Sequence, residues 1–168
     1  NPATNYPTPV ISYPTNDEDL GNVTITQGAT TIINNTSLIN DLTGTIGLAT
    51  GTAGSYSNFT AFGPYTMTAG QSYNFSLSSL TTGFGYQNSM AIFIDYNRNG
   101  SFADAGEMVY APSATQAGAH TVTGSFLIPL TALNGQTRMR VMDLETLITS
   151  YAQATTSSFY GEYEDYML

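Results

Sequence analysis

No stretch of this chain repeats its apolar residues at the 3.6-residue interval of an amphipathic helix; the closest, residues 143–151, is short and uncapped. In its place run short segments rich in β-branched and aromatic residues, separated by turn residues. They fall at residues 22–26, 30–34, 56–60, 65–68, 71–77, 90–94, 107–111, 121–128, 137–143 and 161–168. Such a pattern predicts an all-β fold: two antiparallel sheets packed face to face as a jelly-roll-like β-sandwich, with very little helix. Tyr73, Phe75 and Leu77 mark one face of a strand, and the unbroken apolar run 90–94 predicts a central strand buried on both faces. Pro129 closes the 121–128 strand, since proline cannot donate to a central ladder.

The 168 residues suffice for one such domain without crosslinks. Cysteine is absent, which removes disulfides, thiolate chemistry and zinc–thiolate sites. Lysine is absent too, so three basic residues, Arg98, Arg138 and Arg140, stand against twelve carboxylates for a net charge of −9. A chain so poor in cations offers no basic patch for nucleic acid and little attraction for an anionic membrane. No apolar stretch approaches the length of a membrane span, so no membrane insertion is expected, and a start at Asn1 reads as a processed, secreted product. Carboxylates in this excess repel one another unless they share divalent ions, and Ca2+ is the natural candidate.

Residues 1–19 differ from the rest: Pro2, Pro7, Pro9 and Pro14 sit among Thr, Asn and Tyr, ahead of Asp17, Glu18 and Asp19. Proline at that density forbids helix and favours an extended arm, leaving the sandwich to residues 20–168. Two readings stand for the arm. It is a linker, or it lays a strand against the sheet edge of a neighbouring copy, using the apolar residues Val10, Ile11 and Tyr13 that a linker does not need. The second reading makes the chain a homo-oligomer or a polymer built by strand addition.

The most informative segment is 95–107, Asp95-Tyr96-Asn97-Arg98-Asn99-Gly100-Ser101-Phe102-Ala103-Asp104-Ala105-Gly106-Glu107. Oxygen-bearing side chains at alternate positions let a loop curl so that Asp95, Asn97 and Asn99 point inward together. Gly100 permits the sharp turn, Ser101 offers its carbonyl, and Asp104 and Glu107 complete the set. This is the donor chemistry of a Ca2+ loop, although Glu107 is thirteenth and a strand precedes the loop, so it is no EF-hand. An ordinary Asn-Gly turn is the simpler reading of Asn99-Gly100, but it leaves the other oxygen-bearing positions unexplained.

The tail from Gly161 to Leu168 puts Tyr163 and Asp165 on one face and Glu162, Glu164 and Tyr166 on the other. Beside the strand bearing Arg138 and Arg140, these acids predict a cross-strand ion pair with Glu162 and Glu164, Arg140 pairing with Glu164. The alternative is a second metal ion at Glu162 or Asp165.

Three motifs in order, Ile94 to Glu107, Thr137 to Val141 and Gly161 to Tyr166, resemble the GEVED domain family of bacterial secreted and cell-surface proteins. The likeness also takes in Ser55 to Thr60 and Thr68 to Gln71. It implies a secreted or surface-exposed β-sandwich, often appended to metallopeptidases, adhesins or large surface proteins.

Enzymatic chemistry finds little footing. His120 is the single histidine, which leaves no catalytic zinc set and no partner-rich Ser or Thr nucleophile. The expected function is a non-catalytic, calcium-stabilised structural subunit of an extracellular assembly. A carbohydrate-binding or adhesive accessory module is the alternative, with a possible glycan stacking on Tyr86, Tyr96, Tyr110 or Tyr151.

Overall fold

A computed structural model describes residues 6–12, 19–35, 56–80 and 85–168. Its strands are β1 (Asp19–Gln27), β2 (Thr30–Asn35), β3 (Tyr56–Asn58), β4 (Ser72–Leu80), β5 (Gln87–Ile94), β6 (Met108–Tyr110), β7 (Gln116–Ala117), β8 (His120–Leu127), β9 (Arg138–Leu144) and β10 (Gly161–Met167). One sheet runs β2-β1-β4-β8 and the other β3-β10-β9-β5-β6, with β7 attached to the start of β5. Among the described residues helix is confined to 3-10 turns at Thr60–Phe62 and Tyr151–Ala154. The β1–β2 hairpin closes at Gly28, whose φ of 56° suits the tight connection between Gln27 and Thr30.

Strand alternation builds the core. Val23, Ile25, Ile33, Tyr73, Phe75, Leu77 and Phe126 of the first sheet meet Met90, Ile92, Ile94, Met139, Val141 and Tyr166 of the second. Each such side chain removed from water contributes about 1.5–3 kcal/mol. The second sheet is also covered on its outer face. There Ala91, Phe93, Met142, Leu144 and Tyr163 are roofed by Phe102, Ile148, Ala154, Tyr6 and Ile11, drawn from loops and from the N-terminal segment. The 90–94 run is therefore central and buried on both faces, as its composition predicts.

Several expectations need correction. The second sheet is mixed, because β3 lies parallel to β10; its chain leads on to β4 of the opposite sheet and does not turn back as a hairpin. Residues 65–68 cross between the sheets instead of forming a strand, tied by Tyr65 N–H to the Met167 carbonyl (2.9 Å) and by Thr68 N–H to the Tyr73 hydroxyl (2.7 Å). Ile11 makes only an isolated parallel bridge, to Ser158 of its own chain. Its side chain is 5 % exposed within the outer core, whereas Val10 is 58 % exposed. Ile11 is thus placed against its own chain in this single-chain structure, and Tyr13 lies outside the described residues.

Candidate metal-binding loop and buried charge network

β5 delivers Asp95 to the outer face of its sheet, fully buried. Its Oδ1 accepts the N–H groups of Arg98 (2.6 Å) and Asn99 (3.2 Å), and its Oδ2 accepts Gly100 N–H (2.9 Å) and the Tyr6 phenol (2.6 Å). Four donors on one carboxylate coil the loop around its first residue, and positive φ at Arg98 (60°) and Gly100 (86°) lets the backbone follow. Asn97 Oδ1 then accepts Asn99 N–H (3.1 Å), Asn99 Oδ1 accepts Ser101 N–H (2.8 Å) and Ser101 Oγ accepts Ala103 N–H (3.0 Å). The side-chain amides of Asn97 (3.0 Å) and Asn99 (2.7 Å) both donate to Asp104 Oδ2. Glu107 closes the loop, its Oε1 taking Tyr96 N–H (3.0 Å) and its Oε2 taking Asp104 N–H (3.3 Å).

All six expected ligand residues, Asp95, Asn97, Asn99, Ser101, Asp104 and Glu107, are therefore tied into one hydrogen-bonded coil. The two amides hold the Asp104 carboxyl below its ordinary value. Burial, reinforced by the charge of Asp95, pushes Glu107 up to about 7. Arg98 gives the loop no cation: its guanidinium turns to the carbonyls of Asn134 (2.6 Å) and Gln136 (3.0 Å). Among the described residues, no three His, Cys, Asp or Glu side chains stand together as a ready metal site. A cleft of about 410 Å3 opens on Asn97, Asp104 and Glu107, walled by Tyr96, Leu127 and Pro129.

Arg138 and Arg140 point away from the sandwich interior, as alternation predicts, but the outer roof buries them. The ion pair with Glu162 and Glu164 is not formed. Arg140 instead grips Asp165 with Nε on Oδ1 (2.6 Å) and Nη2 on Oδ2 (2.7 Å), and donates Nη1–H to the Ala154 carbonyl (2.5 Å). Arg138 Nη1 (2.7 Å) and the Tyr56 phenol (2.8 Å) also donate to Asp165 Oδ2. Asp165 and Arg140 are direct cross-strand partners, whereas Glu164 stands opposite Val141 on the other face. The missed residue was legible: the alternation that separates Asp165 from Glu162 and Glu164 assigns it to the arginine face.

Glu162 and Glu164 enter the sandwich. Glu162 accepts Leu20 N–H at Oε2 (2.8 Å) and the Ser57 hydroxyl at Oε1 (2.6 Å). Glu164 accepts the Tyr166 phenol at Oε2 and the Asn35 amide at Oε1 (3.4 Å). Burial raises Glu162 well above the usual carboxylate range and Glu164 to about 8. The second ion considered at Glu162 or Asp165 therefore meets carboxyls already engaged by protein donors.

The tyrosines considered for glycan stacking do not share one face. Tyr86 is exposed, Tyr110 packs on Phe75 with ring centroids 4.6 Å apart, and the Tyr151 hydroxyl accepts Gly106 N–H (3.1 Å). Tyr96 alone of the four borders both the 410 Å3 cleft and a neighbouring one of about 270 Å3 that includes Tyr65. His120 opens β8, its Nδ1 lying 2.8 Å from the Gly118 carbonyl.

The family model of the GEVED domain matches residues 89–168. No curated protein and no solved structure matches the chain.

Proposed function

We propose, from the match of residues 89–168 to the GEVED domain family model, that the chain is a non-catalytic, extracellular β-sandwich, stabilised by Ca2+ and serving as a structural subunit of a surface assembly. The observation that carries the calcium reading is the 95–107 coil: it buries Asp95 and Glu107 together, and its one basic residue, Arg98, is turned elsewhere. The donors are all oxygen, which suits a hard cation taking six to eight ligands. Asp104 and Glu107 face the cleft, and the Asn97 and Asn99 amides already converge on Asp104. Bound there, Ca2+ supplies a crosslink that a cysteine-free chain otherwise lacks.

Titration calorimetry and thermal melts in Ca2+, Mg2+ and excess chelator test this reading. Binding heat with a higher melting temperature in Ca2+ supports it; no heat and an unchanged melt overturn it.

Assembly follows from the N-terminal segment. Ile11 and Tyr6 fill the outer face of their own sheet, and the same contacts are satisfied when a neighbour's segment takes that place, an exchange that propagates from copy to copy. Electron microscopy of the full chain and of a chain lacking residues 1–16 decides it: filaments lost on deletion are expected, and filaments that persist rule out the arm. The second reading, a glycan-binding accessory module, rests on Tyr96 and Tyr65 beside the two clefts. Monodisperse particles that bind oligosaccharides would favour it.

A further inference from the structure

The first sheet ends on β8, whose one ladder partner among the described residues is β4. Sheet edges are ordinarily guarded by brevity, bulges, proline or charge. β3 and β6, the edges of the second sheet, are three residues each, and β2 at the far side of the first sheet meets β1 through a register shift. β8 has none of these guards. It is eight residues long, pairs with β4 from Ser72↔Leu127 to Ser79↔His120 without a shift, and carries no proline, carboxylate or arginine. Thr121, Thr123, Gly124, Ser125 and Leu127 are exposed.

The ladder also fixes which backbone groups face outward. Ile128 N–H reaches the Gln71 carbonyl (3.0 Å) in the same register, so alternation turns the main-chain groups of Phe126, Gly124 and Val122 toward β4 and those of Ser125, Thr123 and Thr121 away from it. Two side-chain contacts agree. The Thr121 and Ser78 hydroxyls lie 2.8 Å apart, as expected of a close, non-hydrogen-bonded pair, and the Tyr96 phenol donates to the outward Leu127 carbonyl (3.5 Å).

We infer that this edge docks a second copy of the chain, β8 pairing antiparallel with its own counterpart across a two-fold axis at Thr123, so that the two first sheets become one. Charge and register select that occupant. Between Glu107 and Arg138 there is no carboxylate, lysine or arginine, so two molecules of net charge −9 meet here without like charges in contact. The edge asks for a strand that is neutral, exposed and rich in β-branched residues, and every copy carries one. With the axis at Thr123, Thr121 of each copy stands opposite Ser125 of the other, and all three outward residues are engaged in about six main-chain hydrogen bonds. An axis at Val122 or Gly124 engages fewer. The same register sets Val122 of each copy opposite Gly124 of the other, a bulky residue against one with no side chain. Such a contact is isologous and closes as a dimer. It uses neither the 95–107 loop nor the N-terminal segment, so it stands or falls apart from the calcium and arm readings.

Sedimentation equilibrium of the full chain tests the proposal. Twice the chain mass is expected for the wild type. Ser125→Pro is expected to return the single-chain mass with an unchanged circular dichroism spectrum, because proline there deletes an outward N–H and leaves the ladder to β4 whole. Paired substitutions then read the register: Thr121→Lys with Ser125→Glu sets opposite charges face to face and keeps the dimer, whereas Thr121→Lys with Ser125→Lys sets like charges there and splits it. A wild type of single-chain mass overturns the proposal, and so does any assembly that survives both Ser125→Pro and the double lysine variant. Should Ser125→Pro fail to fold, the two charge pairs decide: equal masses for both refute the register and the surface.

Discussion

The phenol of Tyr6 donates to Asp95 Oδ2 at 2.6 Å, so the N-terminal segment closes the first residue of the acidic loop 89 positions further on. The Arg138 guanidinium lies 4.6 Å from the centre of the same ring, and Phe102 packs beside it at 5.3 Å. Burial, then the hydrogen bond to Asp95, pushes the phenol to about 12, which keeps it a donor at any ordinary pH. Tyr6→Phe retains the ring and deletes the donor. It is expected to cost about 1–3 kcal/mol in urea unfolding and to weaken Ca2+ binding with it. Unaltered stability would show that the arm and the loop are independent.

Asp165→Asn removes the counter-charge from two buried guanidinium groups at once. A loss of about 3–5 kcal/mol is expected, the usual cost of breaking a buried pair by deleting one member. The decisive comparison is Glu164→Gln at neutral pH, which leaves both arginines paired; similar losses in the two variants would contradict the pairing described here.

Saturating Ca2+ is expected to stabilise the fold by about 2.7 kcal/mol at a hundredfold excess over its dissociation constant. Asp104→Ala should abolish that increment while changing the metal-free melt little, because Asp104 bonds mainly the amides of Asn97 and Asn99 at the exposed rim of the loop. Differential scanning calorimetry with and without chelator measures both quantities.

Gly161 begins β10 at φ 120°, and a Cβ there would stand 2.1 Å from the Asp143 carbonyl oxygen. Gly161→Ala is therefore expected to destabilise by well over about 1 kcal/mol, through strain and through displacement of the strand that carries both charge networks. Circular dichroism melts should show the loss; a neutral result would mean that β9 and β10 separate there without cost.

Period-two alternation made the strands legible, and it assigned faces correctly even where the pairing drawn from them failed. The expected pair of Arg140 with Glu164 would join opposite faces of the sheet, while the ladder joins Arg140 to Asp165. What alternation does not convey is depth. Nothing local distinguishes an arginine facing water from one roofed by Phe102 and Ala154, since the roof comes from segments distant in sequence. β7, two exposed residues long, carries no periodic signal, and the seating of Ile11 on Ser158 depends on tertiary contact alone. The loop was readable for the opposite reason: its partners are mostly its own neighbours, Asp95 to Asn99 and Asn97 to Asp104.

The stretch spanned by the family model begins inside β5, yet it includes β8, a strand of the opposite sheet whose ladder partner β4 lies upstream. A polypeptide cut at residue 89 would carry β8 with nothing to join, and Met90, Ile92, Ile94, Met139 and Val141 would face water. The smallest piece that melts as one cooperative unit is accordingly longer than the heritable signature. A graft of this module into another protein must bring the chain from Asp19 onward if it is to stand by itself.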